Sequence, residues 1–270
     1  VPALLYLLEV LPVIKLREKD GIAVYRTSEG VLKVFNCEEH RREIEFYNIL
    51  QRCGVPTLQV LAQTENSLLL EDLDYSSQWR LGQAQDMDNP EIARAIAAWY
   101  KLLHKAGQEY PQLHTLPAET DVLALVNLHV LAERFPCEAF WQVLFSHYDV
   151  FRTKLAALPQ TFTYNDFYYT NLAVARDGTA ALMFDYNLAG RGYAYGDVRN
   201  VCWSLSPRAA EAFRLAYGAI NLAEQAVDAV ACNLVGLWTA AQREQFPAWA
   251  ESMRESLENG TLLRNLEELL

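Results

Sequence analysis

Between Phe162 and Val174 the chain reads FTYNDFYYTNLAV, which sets Asp166 and Asn171 five residues apart in a run otherwise built of strand-forming and aromatic residues. A carboxylate or an amide in such surroundings costs free energy unless something satisfies it. Downstream, Leu172 to Ala175 and Thr179 to Phe184 flank Asp177-Gly178, a strong signal for a two-residue hairpin turn. The residue entering the first strand of an antiparallel hairpin neighbours the one leaving the second. Asn171 and Asp185 therefore face one another at the open end, with Asp166 one short loop upstream. A hairpin strand of Ala, Leu, Met and Phe gives no packing reason to finish on an aspartate. Hard cations take oxygen donors, and magnesium typically uses one or two protein carboxylates together with substrate phosphates and water. Asn171 and Asp185 fit that description, and Asp166 is then free to orient an acceptor hydroxyl and take its proton. This is the layout of phosphoryl transfer, in which positioning and charge neutralisation do most of the catalysis.

The segments YNDFYYTN and LMFDYNLAGRGYAYGD resemble the catalytic loop and metal-binding segment of the aminoglycoside phosphotransferase and choline kinase superfamily. Its members have a protein-kinase-like fold, and their loop usually reads His-Gly-Asp, four residues, Asn, with a second Asp after one hairpin. The resemblance implies that Asp166 is the catalytic base, that Asn171 and Asp185 hold magnesium, and that Asp197 in YGDVRNV buttresses the loop. Tyr164 and Asn165 stand where His and Gly are usual, a departure that bears on how the loop is supported.

Lys33 in VLKVF shares a strand face with Val31 and Phe35, an odd place for a surface lysine. In the family that this chain resembles, a lysine in the third strand contacts the α and β phosphates and pairs with a helix glutamate. Glu43 and Glu45 compete for that role. Residues three, four and seven beyond Glu43 are Phe46, Tyr47 and Leu50, an apolar face, whereas Glu45 neighbours Arg41, Asn48, Ile49 and Arg52. Helical geometry selects Glu43. LLLEDLD, Leu68 to Asp74, resembles the family's hinge, which implies adenine contacts from the carbonyl of Glu71 and the amide of Leu73. Lys19-Asp20-Gly21 offers one glycine where a phosphate-covering loop belongs, and nothing like G-x-G-x-x-G. The resemblance runs from about Ile14 to Val201.

The elements that must position these residues follow from pattern. Val13 to Arg17, Ile22 to Thr27 and Val31 to Phe35 read as an antiparallel meander; Glu38 to Cys53 as a helix stopped by Gly54 and Pro56; Leu58 to Ala62 and Leu68 to Leu73 as a second hairpin. Asn89-Pro90-Glu91 opens a helix with a cap, a first-position proline and an acid in its first turn. Further helices are expected over Val122 to Arg134, Ala139 to Leu158, Ala209 to Asn233 and the C-terminus, around a β island at 161–185. With the resemblance, this implies an α+β, two-lobed protein-kinase-like fold. Residues 1–73 form the small antiparallel nucleotide-binding lobe, with the hinge at its end. Residues 74–270 form a larger, mainly helical lobe with the catalytic loop and the acceptor site.

Composition narrows the partners. The 270 residues are 51% hydrophobic and 21% charged, and a net charge of −11 repels a phosphate backbone, which argues against nucleic acid. Five scattered cysteines without metal spacing, and apolar runs far shorter than a membrane span, give the expectation of a cytoplasmic protein with no membrane partner. His104 in KLLHKAG reads as a hydrogen-bonded structural histidine. Phe167, Tyr168, Tyr169, Tyr193, Tyr195 and Trp203 crowd the catalytic elements, either as a box for an ammonium group or as core and cleft lining. The expected function is a small-molecule kinase moving the γ-phosphoryl of ATP or GTP, with magnesium, to a hydroxyl. Choline or ethanolamine, an aminoglycoside, a sugar and an amino alcohol all stay open as acceptors, as does the oligomeric state. The rival from another class is a non-catalytic, pseudokinase-like nucleotide-binding module.

Overall fold

The computed structural model describes residues 13–19 and 21–270, and Asp20 and the Leu-rich stretch Leu4 to Leu8 lie outside them. Strands β1 (Ile14–Lys19), β2 (Ile22–Arg26) and β3 (Val31–Phe35) lead into helix α1 (Glu38–Arg52). Strands β4 (Val60–Gln63), β5 (Ser67–Leu70) and β6 (Trp79–Leu81) precede α2 (Pro90–Glu109), α3 (Leu125–Arg134), α4 (Glu138–Ser146) and α5 (Tyr148–Ala156). Then come β7 (Thr161–Thr163), β8 (Leu172–Ala175), β9 (Ala181–Met183) and β10 (Gly190–Gly192). The chain ends with α6 (Ala194–Ser204), α7 (Pro207–Tyr217), α8 (Leu222–Ala241), α9 (Glu251–Glu258) and α10 (Thr261–Leu269). Among the described residues no helix is long and apolar enough to cross a membrane.

Two compact units form. The first holds the described residues up to Tyr110 together with Tyr164–Ala189 and Asp197–Gly218. Its antiparallel sheet runs β1-β2-β3-β5-β4, so the meander continues from β3 to β5 rather than to β4. Period-two alternation sends Leu32 and Val34 to one face, where they pack on Leu69, and leaves Lys33 on the other. The α1 stop is local: Gly54 takes a positive φ of 71°, and the Val55 N–H closes onto the Leu50 carbonyl. At the start of α2 the Asn89 side chain accepts from the Glu91 N–H, with Pro90 at the first helical position.

The second unit holds Pro111–Thr163, Gly190–Gly196 and Ala219–Leu270. Its core joins Leu131, Phe140, Leu144, Phe151, Leu234 and Leu266, and β7 pairs antiparallel with β10.

Several expected elements differ. The helix expected over 139–158 breaks at His147 into α4 and α5, and the one over 209–233 breaks after Tyr217, where Gly218 takes a φ of 103°. The apolar spacing runs on through both breaks and conceals them. Two three-residue strands, β6 and β10, are too short to show a period, yet β6 pairs with β8. This pairing brings Gly82 against the 164–171 loop, where a Cβ would stand 2.5 Å from the Tyr169 carbonyl oxygen.

Candidate active site

Lys33 rises from β3 into a buried ion triad. Its Nζ lies 2.6 Å from Glu43 Oε2 and 2.6 Å from Asp185 Oδ1. Glu43 is fully buried on α1, and only 23% of the Asp185 side chain is exposed. Burial opposes the Lys33 ammonium, but the two carboxylates outweigh it and raise its pKa. Burial is also the largest influence on Glu43, and with the charge of Asp185 it lifts that carboxyl to about 7 despite Lys33. Two carboxylates around one ammonium leave an excess negative charge, and the triad favours holding a proton or another cation.

Asp166, Asn171 and Asp185 are drawn together by the hairpin. β8 and β9 pair Leu172 with Met183, and the Phe184 N–H donates to the Asn171 carbonyl at 3.1 Å. Asn171 and Asp185 therefore leave the same open end. The Asn171 Nδ2 donates to Asp166 Oδ2 at 2.8 Å and to the Asp166 carbonyl at 3.1 Å, and its Oδ1 is the atom left to accept. Desolvation, then the charge of Asp185, lifts the Asp166 carboxyl from 3.8 to about 6, against the Asn171 hydrogen bond and the cations Lys33 and Arg17. Asp197, fully buried, accepts from the Tyr164 N–H at 2.9 Å on one oxygen and from the Asn165 N–H at 2.9 Å on the other. His104 stands 3.1 Å from that carboxylate through Nε2 and 2.8 Å from the Tyr217 hydroxyl through Nδ1.

After β5, Arg26 grips Asp72 at 2.6 Å and also Asp74, and Arg176 donates to the carbonyls of Ser76 and Leu73. The Glu71 side chain is occupied by the Gln59 N–H and the Ser76 hydroxyl. The carbonyl of Glu71 and the N–H of Leu73 take part in none of these bonds. Both residues line a cleft of about 380 Å³ that also holds Lys33, Glu43, Asn171 and Asp185.

The chain matches the Phosphotransferase enzyme family (APH) over residues 18–231. It belongs to that family. A comparison with curated proteins found no match. Among solved structures, it is similar to a choline/ethanolamine kinase family protein from Mesorhizobium loti, with 18% identity, a TM-score of 0.66, and 96% of this chain and 92% of that one covered. It is similar to choline kinase LicA from Streptococcus pneumoniae at 14% identity and a TM-score of 0.66, covering 97% and 95%. A streptomycin-ATP-APH(2")-IIa ternary complex aligns at 14% identity and a TM-score of 0.60, covering 98% and 95%. The fold of this phosphotransferase is thus the protein-kinase-like one, an antiparallel sheet followed by a mainly helical remainder.

The unusual Tyr164-Asn165 pair has a physical account in this phosphotransferase. Asn165 takes φ of 65°, a left-handed conformation that glycine adopts freely and that asparagine tolerates best among the other residues. Its Nδ2 also donates to the Leu188 carbonyl at 3.1 Å. Tyr164, fully buried, donates its hydroxyl to the Phe184 carbonyl, beside Asp185, which itself takes φ of 66°. Tyr164 packs edge-on to Tyr186 at 5.9 Å and to Trp99 at 5.9 Å, and Tyr186 meets Tyr47 of α1 at 4.7 Å. Arg42, next to Glu43, donates to the Asn187 carbonyl at 2.6 Å. The 164–171 loop, the 184–187 segment and α1 are therefore one packed assembly.

The aromatic group divides. Phe167 is buried, Tyr193 is buried and donates to Asp228 at 2.9 Å, and Trp203 is exposed, with the Arg199 guanidinium over its ring at 4.8 Å. The Tyr168 and Tyr169 rings lie 4.5 Å apart and tilted by 41°, with Tyr168 exposed.

For a metal ion, among the described residues no three His, Cys, Asp or Glu side chains cluster closely enough to hold one unaided. The oxygen pair of Asn171 and Asp185 fits an ion completed by phosphate and water oxygens.

Proposed function

We propose that this protein is a small-molecule kinase that transfers the γ-phosphoryl of a nucleoside triphosphate, ATP or GTP, to a hydroxyl of a small polar acceptor. The observation that carries the reading is the Lys33 triad, 2.6 Å to Glu43 and 2.6 Å to Asp185, in one cleft with Asn171. In this reading the segment up to residue 73 binds the nucleotide, with the Glu71 carbonyl and the Leu73 N–H on the base, and residues 74–270 supply the catalytic loop and the acceptor site. Lys33, steadied by Glu43, binds the α and β phosphates. Asn171 and Asp185 would hold magnesium, which supplies charge neutralisation on the phosphates. Asp166 takes the acceptor proton as the acceptor oxygen bonds to the γ phosphorus, while the bond from that phosphorus to the β–γ bridging oxygen breaks and the nucleoside diphosphate leaves. Asp197 holds the loop through the Tyr164 and Asn165 N–H groups.

Choline, ethanolamine and aminoglycosides are the acceptors that the similar structures suggest for a first screen. Trp203, with Arg199 already over its ring, is a poor wall for an ammonium box. Support of the loop by Tyr164 and Asn165 weakens one of the two grounds for a non-catalytic module, the departure from His-Gly, and leaves the other, the glycine-poor covering segment. We place the protein in the cytoplasm, where nucleotide and magnesium are abundant and five scattered cysteines stay reduced.

The test is a thermal-shift titration with ATP and with GTP, with and without magnesium, on the wild type and on Asp185→Ala. A ligand that binds only the folded state raises stability by about RT ln(1 + [L]/Kd). A magnesium-dependent rise that Asp185→Ala loses supports the site, and phosphoryl transfer in an acceptor screen completes it. No rise with either nucleotide at millimolar concentration would leave the binding-module reading in its place.

A further inference from the structure

The cleft carries three cations, Arg17, Arg26 and Lys33. Arg26 is committed to Asp72 and Asp74, and Lys33 to Glu43 and Asp185. Arg17 makes no hydrogen bond or ion pair with a described residue, yet it lines the same cleft. Its placement is a matter of register. β1 and β2 pair Ile14 with Arg26 and Lys15 with Tyr25, then shift by one residue so that Arg17 lies opposite Val24. Val24 in turn lies opposite Lys33. Directly opposed residues of antiparallel strands project to the same face, so Arg17, Val24 and Lys33 form one row on the cleft side. Two strand spacings separate the arginine from the lysine, about 10 Å at the backbone, a span two long side chains reach across. Without the bulge at Leu16, leucine would oppose Val24 and Arg17 would turn to the other face.

We propose that Arg17 binds the phosphate chain of the nucleotide from the roof strand, supplying by a guanidinium the charge that a glycine-rich loop supplies by backbone N–H groups. The inference rests on the kinase reading of the same cleft. A planar guanidinium matches phosphate oxygens in two-pronged fashion, and the sequence between β1 and β2 offers one glycine in place of a glycine-rich motif.

The test measures dissociation constants of the wild type, Arg17→Ala and Arg17→Lys for AMP, ADP and ATP with magnesium, together with kcat and KM once an acceptor is in hand. Arg17 is exposed on its strand, so its replacement should leave the fold intact, and the melting temperature of each variant checks this. Arg17→Ala should weaken ATP by roughly 10- to 100-fold while changing AMP by less than about threefold, so the gain from AMP to ATP shrinks. Arg17→Lys should recover part of the loss. A wild type that binds ATP more tightly than AMP, with the same ratio in Arg17→Ala, would overturn the role of Arg17 and leave the kinase reading standing. A wild type that binds none of the three nucleotides would overturn both.

Discussion

The hydroxyl of Tyr164 donates to the carbonyl oxygen of Phe184, tying the 164–171 loop to the residue that precedes Asp185. Tyr164→Phe keeps the ring and its packing but strands a buried carbonyl, which costs roughly 1–3 kcal/mol. Chemical denaturation should show that loss. Magnesium-dependent ATP affinity should fall with it, because the backbone that presents Asp185 loses its tether. A variant that matched the wild type in both would show the bond to be incidental.

Asn165 at φ of 65° makes a second, opposite kind of test. Asn165→Gly should be tolerated within about 1 kcal/mol, since glycine adopts this conformation freely and gives up only the bond to Leu188. Asn165→Val should cost roughly 2 kcal/mol or more, because a β-branched residue is strained there. Melting curves of the two variants side by side decide it.

The Asp166 carboxyl, raised from 3.8 to about 6, gives two pH signatures. As the proposed base it must be ionised, so kcat/KM should rise with pH up to about 6 and level off above it, and Asp166→Asn should leave no comparable activity to titrate. For stability the sign runs the other way. A raised carboxyl contributes stability below its unfolded value near 4, and that contribution is lost as pH climbs through about 6. Asp166→Asn should therefore be more stable than the wild type at pH 7 to 8, by roughly 1–3 kcal/mol, and its stability should change less between pH 4 and 6. A variant less stable than the wild type at pH 8 would contradict the strain assigned to this carboxylate.

Lys33→Met removes the only cation between Glu43 and Asp185 in the triad. An uncompensated buried charge costs roughly 3–5 kcal/mol when one partner of an ion pair is deleted. Proton uptake by Glu43, whose carboxyl already sits near 7, should absorb part of this, so the loss should be smaller at pH 6 than at pH 8. Urea denaturation at the two pH values reads this difference without any need for activity.

The pairing of the hairpin's open end was legible because Asp177-Gly178 marks the middle of its turn, but the turn itself differs from the expected two-residue form: the loop is four residues, 176–179, with the Gly178 N–H on the Ala175 carbonyl and Gly178 at a φ of 75°. Glu43 was legible over Glu45 because three- and four-residue spacing on a helix separates an apolar face from a polar one. β6 was not legible, since three residues carry no period and its partner β8 lies far along the chain. The supporting roles of Tyr164 and Asn165 were hidden for a different reason. A left-handed φ and a hydroxyl reaching a carbonyl are properties of tertiary placement. Arg17 was hidden because alternation assumes regular pairing, and the bulge at Leu16 shifts the phase by one residue.

The hinge has one more consequence. The Glu71 carboxylate is spent on Gln59 and Ser76, and the groups proposed to meet the base are the Glu71 carbonyl and the Leu73 N–H. Every residue carries that carbonyl, and every residue except proline carries that N–H. A saturation library through Glu71, Asp72 and Leu73 would therefore score this stretch as nearly dispensable for base recognition, with Leu73→Pro the lone exception. Recognition of this kind is invisible to genetics and free to drift in sequence.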